Sequence, residues 1–155
     1  MASMMPEYPI LGFCAGFAIH FIFDAIPHYD YPIYSRSVHP EVGAPMRFDK
    51  NLLHDMVDIG VDASLGILLS LFFFATPAAL VAVLAGALGG ILPDFLQFVY
   101  AHFKHEPLVS LQHLHRWIHA KRRLEKEHKL ALGIISQIAI IAAIVVVTKS
   151  TAALL

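Results

Sequence analysis

GFAIHFIFDAIPHYDY, residues 16–31, carries His20, Asp24 and His28 at four-residue intervals in a run otherwise fit for a bilayer. Residues four apart stack on one face of a helix, so the three form a single stripe. Ionisable groups inside a membrane are costly and mark a functional site by default. Imidazole, carboxylate, imidazole is also a donor set for a transition metal. Pro27 stands before His28 and can end the helix ahead of it.

Around this stripe the chain is apolar. Of 155 residues, 57% are hydrophobic and only 15% charged, with a mean hydropathy of +0.65. A soluble domain is about one quarter charged, so the composition is that of a membrane protein, and the length is that of one domain covering 1–155. The net charge of −1 excludes a globally basic nucleic-acid binder. One cysteine, Cys14, excludes an internal disulfide and a CxxC metal site. The opening MASMMPEYP holds no Lys or Arg, unlike the start of a signal peptide, so the first helix is expected to stay in the mature protein.

The expected fold is all-α: a four-span transmembrane helical bundle with an amphipathic interfacial helix before the last span. The spans run over about 8–27, 52–75, 77–100 and 130–148, each close to the roughly 20 residues that cross a bilayer. The second and third are joined around Thr76-Pro77 as an antiparallel hairpin, with Pro77 suited to the first turn of the third helix. Residues 28–51, with Pro32, Pro40, Gly43 and Pro45, read as an irregular loop. The interfacial helix is expected over about 108–126, with Leu111, Leu114, Trp117 and Ile118 on or near one face.

Ten of the eleven basic residues fall in the 28–51 and 104–129 segments, the exception being Lys149. Lys and Arg favour the cytoplasmic side. That puts both polar segments in the cytoplasm and both termini outside, in a plasma (inner) membrane. Lys121, Arg122, Arg123 and Lys126 are expected to meet anionic lipid headgroups. No nucleic-acid partner is expected.

The remaining polar groups collect at that same face. Asp55, Asp58 and Asp62 share one side of the second span. Asp55 can simply serve the positive end of the helix dipole. Asp94 follows Pro93 near the cytoplasmic end of the third span, with Gln97 on its face as an interhelical hydrogen-bonding group. His115 and His119 stand four apart on the interfacial helix. No Lys or Arg lies inside the first three spans, so their carboxylates must be protonated, hydrated or neutralised by cations. The expected ligands are His20, Asp24, His28, Asp58, Asp62, Asp94, His115 and His119. The expected cofactor is one or two divalent transition-metal ions, zinc first, with manganese or iron as alternatives.

Three stretches resemble a known group. GGILPDFLQF (89–98) looks like the G-x-L-x-PD motif of the YdjM-like membrane-bound metal-dependent hydrolases. HRWIH (115–119) resembles their HRxxTH motif, with Ile118 in place of Thr, and IHFIFDAIPHYD (19–30) resembles their HxxxD helix. Here the HxxxD helix comes first, whereas in the family the PD and HRxxTH motifs precede it. The resemblance implies hydrolytic activity.

The function expected on these grounds is metal-dependent hydrolysis of an ester or phosphoester, of a lipid-linked kind by its place in the membrane. A metal lowers the pKa of bound water to near neutral. Asp62 or Asp94 would bridge metals or act as general base, and Arg116 would stabilise transition-state charge. The alternatives are a metal or proton transporter, a haem protein using His20 with His115 or His119, and a structural membrane protein whose polar cluster only fixes helix contacts. The near absence of polar groups in the outer half argues against transport, and the excess of Asp argues against haem.

Overall fold

The computed structural model describes residues 6–26, 28, 34–35, 49–118 and 129–152, and these form five α-helices with no strand among them. They are α1 (Pro9–Asp24), α2 (Lys50–Phe74), α3 (Leu80–His102), α4 (Leu108–Ile118) and α5 (Lys129–Ala152). Three stretches, Lys50–Phe74, Leu80–Tyr100 and Ala131–Thr151, are long and apolar enough to cross a membrane. The first expected span, 8–27, is shorter. α1 has 16 residues, about 24 Å of rise against a hydrocarbon core of about 30 Å. It stops at Asp24 because the amide of Ile26 turns back to the Phe23 carbonyl at 2.9 Å, and the residue before a proline avoids helical geometry. The last part of the interfacial helix, 119–126, lies outside the described residues.

The α2–α3 connection departs from its expected form. Asp49 starts α2 by accepting the amides of Asn51 and Leu52, each at 3.0 Å. At the far end Ala75 turns extended, and Pro77 enters a turn rather than the first turn of α3. The Ala79 amide bonds both the carbonyl and Oγ1 of Thr76, at 3.0 and 3.2 Å. That local closure delays the start of α3 to Leu80.

α3 is the central element, with α1 along it and α2 and α4 packed against it. The α1–α3 crossing is backbone against backbone. A Cβ on Gly16 would collide with the Gly86 carbonyl and stand 3.0 Å from the Gly90 nitrogen. A Cβ on Gly89 would collide with the Phe13 carbonyl. Phe13 and Gly16 thus meet Gly86–Gly90, while farther along His20 meets Asp94. The two helices therefore run in the same direction, and their C-terminal ends lie together. Close approach through small residues is the usual means of helix association where lipid supplies no hydrophobic drive. The signal is legible in the sequence as Gly12-x-x-x-Gly16 and Gly86-x-x-x-Gly90.

Among the described residues, only Phe21, Leu52, Ala79, Ala82, Val83 and Phe98 are buried hydrophobic side chains. Most large apolar groups face outward, as expected of a chain whose surroundings are acyl chains. Pro93, fully buried inside α3, removes one backbone donor and leaves a carbonyl one turn earlier without its helical partner. This irregularity falls next to Asp94.

Candidate metal centre

His20, Asp94 and His115 come from α1, α3 and α4. Each offers a ligand atom within 4.8 Å of the others, a group that could hold a metal ion. His20 Nε2 lies 3.6 Å from Asp94 Oδ1, and His115 Nε2 lies 4.0 Å from the same oxygen. Asp24 stands against both rings: its Oδ2 is 3.2 Å from His20 Nε2 and 2.5 Å from His115 Nε2. His28 Nε2 approaches Asp24 Oδ1 at 3.9 Å. Asp24, at the last position of α1, is thus the hub of three imidazoles.

The rings are oriented from behind. His28 Nδ1 donates to the Ile26 carbonyl at 2.8 Å. A carbonyl can only accept, so Nδ1 carries the proton and Nε2 presents a lone pair. The Gly90 backbone takes a hydrogen bond from His20. An imidazole anchored at one nitrogen by a carbonyl and aimed with the other is the usual presentation of a metal ligand. Phe21 supports the cluster with its edge, 5.4 Å from the His20 ring and 5.6 Å from His115 between centroids.

The chemistry of the donors fits a metal. His20 Nε2 and Asp24 Oδ2 are buried, and neither has a hydrogen bond of acceptable geometry although they are near neighbours. Polar atoms buried without a hydrogen bond are rare because they cost about 1–3 kcal/mol each. A cation beside them would satisfy both atoms. Zinc bonds of about 2.0–2.1 Å set tetrahedral donors about 3.3 Å apart. The His20–Asp24 and His20–Asp94 distances match that spacing. The His115–Asp24 contact is too short for two donors of one ion, so binding would have to part them.

α4 reaches the site through Gln112 and His115, its two buried residues. Gln112 Nε2 donates to Gln97 Oε1 at 3.5 Å, the interhelical bond expected of Gln97. Glu106 holds the start of α4 by accepting from the amide and hydroxyl of Ser110, at 3.2 and 2.8 Å.

The other residues nominated by the sequence are placed elsewhere. Asp58 pairs with His54 Nδ1 at 3.1 Å on a half-exposed stretch of α2, and Asp62 is exposed farther along that helix. Neither belongs to the group around Asp24. Arg116 is exposed on α4 and donates to His113 Nδ1 at 3.3 Å. His119 and the cluster Lys121, Arg122, Arg123 and Lys126 lie outside the described residues.

Asp55 has a role that spacing does not reveal. It is 1% exposed, and its two oxygens accept the amides of Tyr34 and Ser35 at 2.8 and 2.7 Å. It ties Tyr34 and Ser35 to α2 instead of serving a helix dipole. No signal in the sequence identifies those partners, because they are backbone amides.

No protein-family model matches the chain, and no curated protein or solved structure matches it.

Proposed function

We propose that this chain is a membrane-embedded metal-dependent hydrolase acting on an ester or phosphoester. The observation that carries this reading is the asymmetry of the centre. Two buried imidazoles from different helices face one carboxylate, Asp94, that stays open to the outside. Hydrolytic zinc sites have this composition: three protein ligands of the His, His, carboxylate kind and one position left for water. Zinc is the first expectation, and a bound ion would supply hydroxide at neutral pH and polarise the substrate oxygen.

The chain's own residues then have distinct tasks. His20 and His115 hold the centre from opposite helices. Asp94 closes it on the open side and can take the proton from an attacking water. Asp24 braces both rings. Arg116, one residue from His115, can reach toward an anionic group at the mouth. Asp62 is distant in the chain from this constellation, and its role as a base is not retained. The motif resemblance to YdjM-like hydrolases agrees with this assignment, as it rests on the same His20, Asp24, Asp94 and His115. The positive-inside bias supports a cytoplasmic placement of the centre.

The short His115–Asp24 contact favours a second reading. In it a carboxylate shared by two imidazoles simply locks α1 to α4, with no ion. Elemental analysis of gently purified protein separates the two. The hydrolase reading expects stoichiometric metal, cleavage of a nitrophenyl ester or phosphodiester, and loss of both on Asp94→Asn. Absence of metal together with unchanged thermal stability in chelator would sink it.

A further inference from the structure

The four polar side chains of the centre are unevenly covered. His20, Asp24 and His115 keep 9%, 11% and 4% of their side-chain surface, while Asp94 keeps 65%. Among the described residues, a substrate therefore approaches from the side of Asp94. Asp94 is not at the end of its helix. It lies six residues before Tyr100, where the apolar stretch of α3 ends, a rise of about 9 Å. The headgroup layer on each side of a bilayer is only about 5–7 Å deep. Counted from the end of that stretch, Asp94 sits just inside the hydrocarbon boundary. The neighbouring side chain agrees: Phe95 is an exposed large apolar group of the kind that faces acyl chains.

We infer that the centre opens sideways into the bilayer and that its substrate is a membrane lipid whose ester linkage descends to the level of Asp94. This rests on the hydrolase reading. The carboxylic and phosphoric esters of a glycerolipid lie at this boundary, and both share the electrophilic centre and anionic or polar oxygens such a site would take. The reaction consumes one water. Its oxygen bonds to the carbonyl carbon or phosphorus, the bond to the lipid alkoxide breaks, and one water proton ends on that alkoxide. The products are an acid and an alcohol, with no change of oxidation state.

Two arms test this on the full chain in vesicles of phosphatidylethanolamine and phosphatidylglycerol. Cys14 is the only cysteine, so a Cys14→Ser, Asp94→Cys protein carries one nitroxide. Collision with oxygen, which concentrates in lipid, should exceed collision with a water-soluble nickel chelate several-fold. Phe95→Cys gives the same readout if Asp94→Cys fails to fold. The second arm compares two nitrophenyl phosphodiesters on the metal-loaded wild-type protein, one with a hexadecyl and one with a methyl group. The hexadecyl compound should be cleaved many-fold faster.

Preferential collision with nickel overturns the sideways opening, and cleavage of the methyl compound beside it leaves the hydrolase reading standing. Equal cleavage of both compounds overturns the lipid substrate. A lipid-exposed label with neither compound cleaved overturns the hydrolase reading and the substrate class with it.

Discussion

Asp24 shows how one carboxylate can organise a site. Its Oδ2 faces His20 and His115, and its Oδ1 faces His28. Asp24→Asn keeps the shape and removes the charge. Loss of a group that orients metal ligands commonly costs about 10–100-fold in affinity, so a chelator competition should report a drop of that size. His115→Ala removes a donor and should abolish stoichiometric binding. Asp55 is a different kind of carboxylate. Asp55→Ala strands two amides, at about 1–3 kcal/mol for each one left unsatisfied. It should lower the melting temperature in detergent while metal content stays the same. An equal loss of metal would mean that the Tyr34–Ser35 tie supports the centre. The contrast marks what spacing can reveal. His20, Asp24, Asp94 and His115 are legible because each breaks an apolar pattern or recurs at helical intervals. Asp55, Asp58 and Asp62 do share a side by the same arithmetic. Spacing cannot say which neighbour that side meets, and here it meets the amides of Tyr34 and Ser35 and the ring of His54 rather than the centre.

At the scale of helices, the site depends on how closely α1 approaches α3. The collision partners of a Cβ on Gly16 are backbone atoms, which cannot rotate away. Gly16→Leu should force the helices apart, at a cost of about 1–3 kcal/mol or more, and should separate His20 from Asp94. Both melting temperature and bound metal should fall. Gly60, on α2, is different: a methyl group there would meet nothing within 4 Å among the described residues. Gly60→Ala should therefore be neutral or stabilise by up to about 1 kcal/mol through helix propensity. Equal effects of the two substitutions, read by thermal unfolding, would refute the crossing. Helix existence is readable from apolar runs, whereas the ends are not. Thr76 closing a turn on Ala79 delays α3, and a turn at Phe23–Ile26 shortens α1. Each is a local hydrogen bond that outweighs the apolar pattern at a terminus.

Across the whole molecule, the helices divide into a site-building group and a flank. α1, α3 and α4 supply the side chains of the centre around Asp24, and α2 packs against α3. The sequence reading expects all these polar groups at one membrane face, and the parallel course of α1 and α3 brings their C-terminal ends together. It could not show that α2 turns its carboxylates away, because that depends on which side of α2 meets α3. α5 stands apart: among the described residues it is not one of the helices closely packed against another, and only 6% of its apolar span is buried. Its side chains have traded little protein contact for lipid contact, so its removal withdraws little from the centre. A chain ending at residue 128 should still insert and still bind metal with the affinity of the full-length protein, as measured by chelator competition in the same vesicles. A fall as large as that expected of Asp24→Asn would mean that α5 holds the site in place through contacts beyond the described residues. An unchanged affinity would assign metal binding to the first four helices alone.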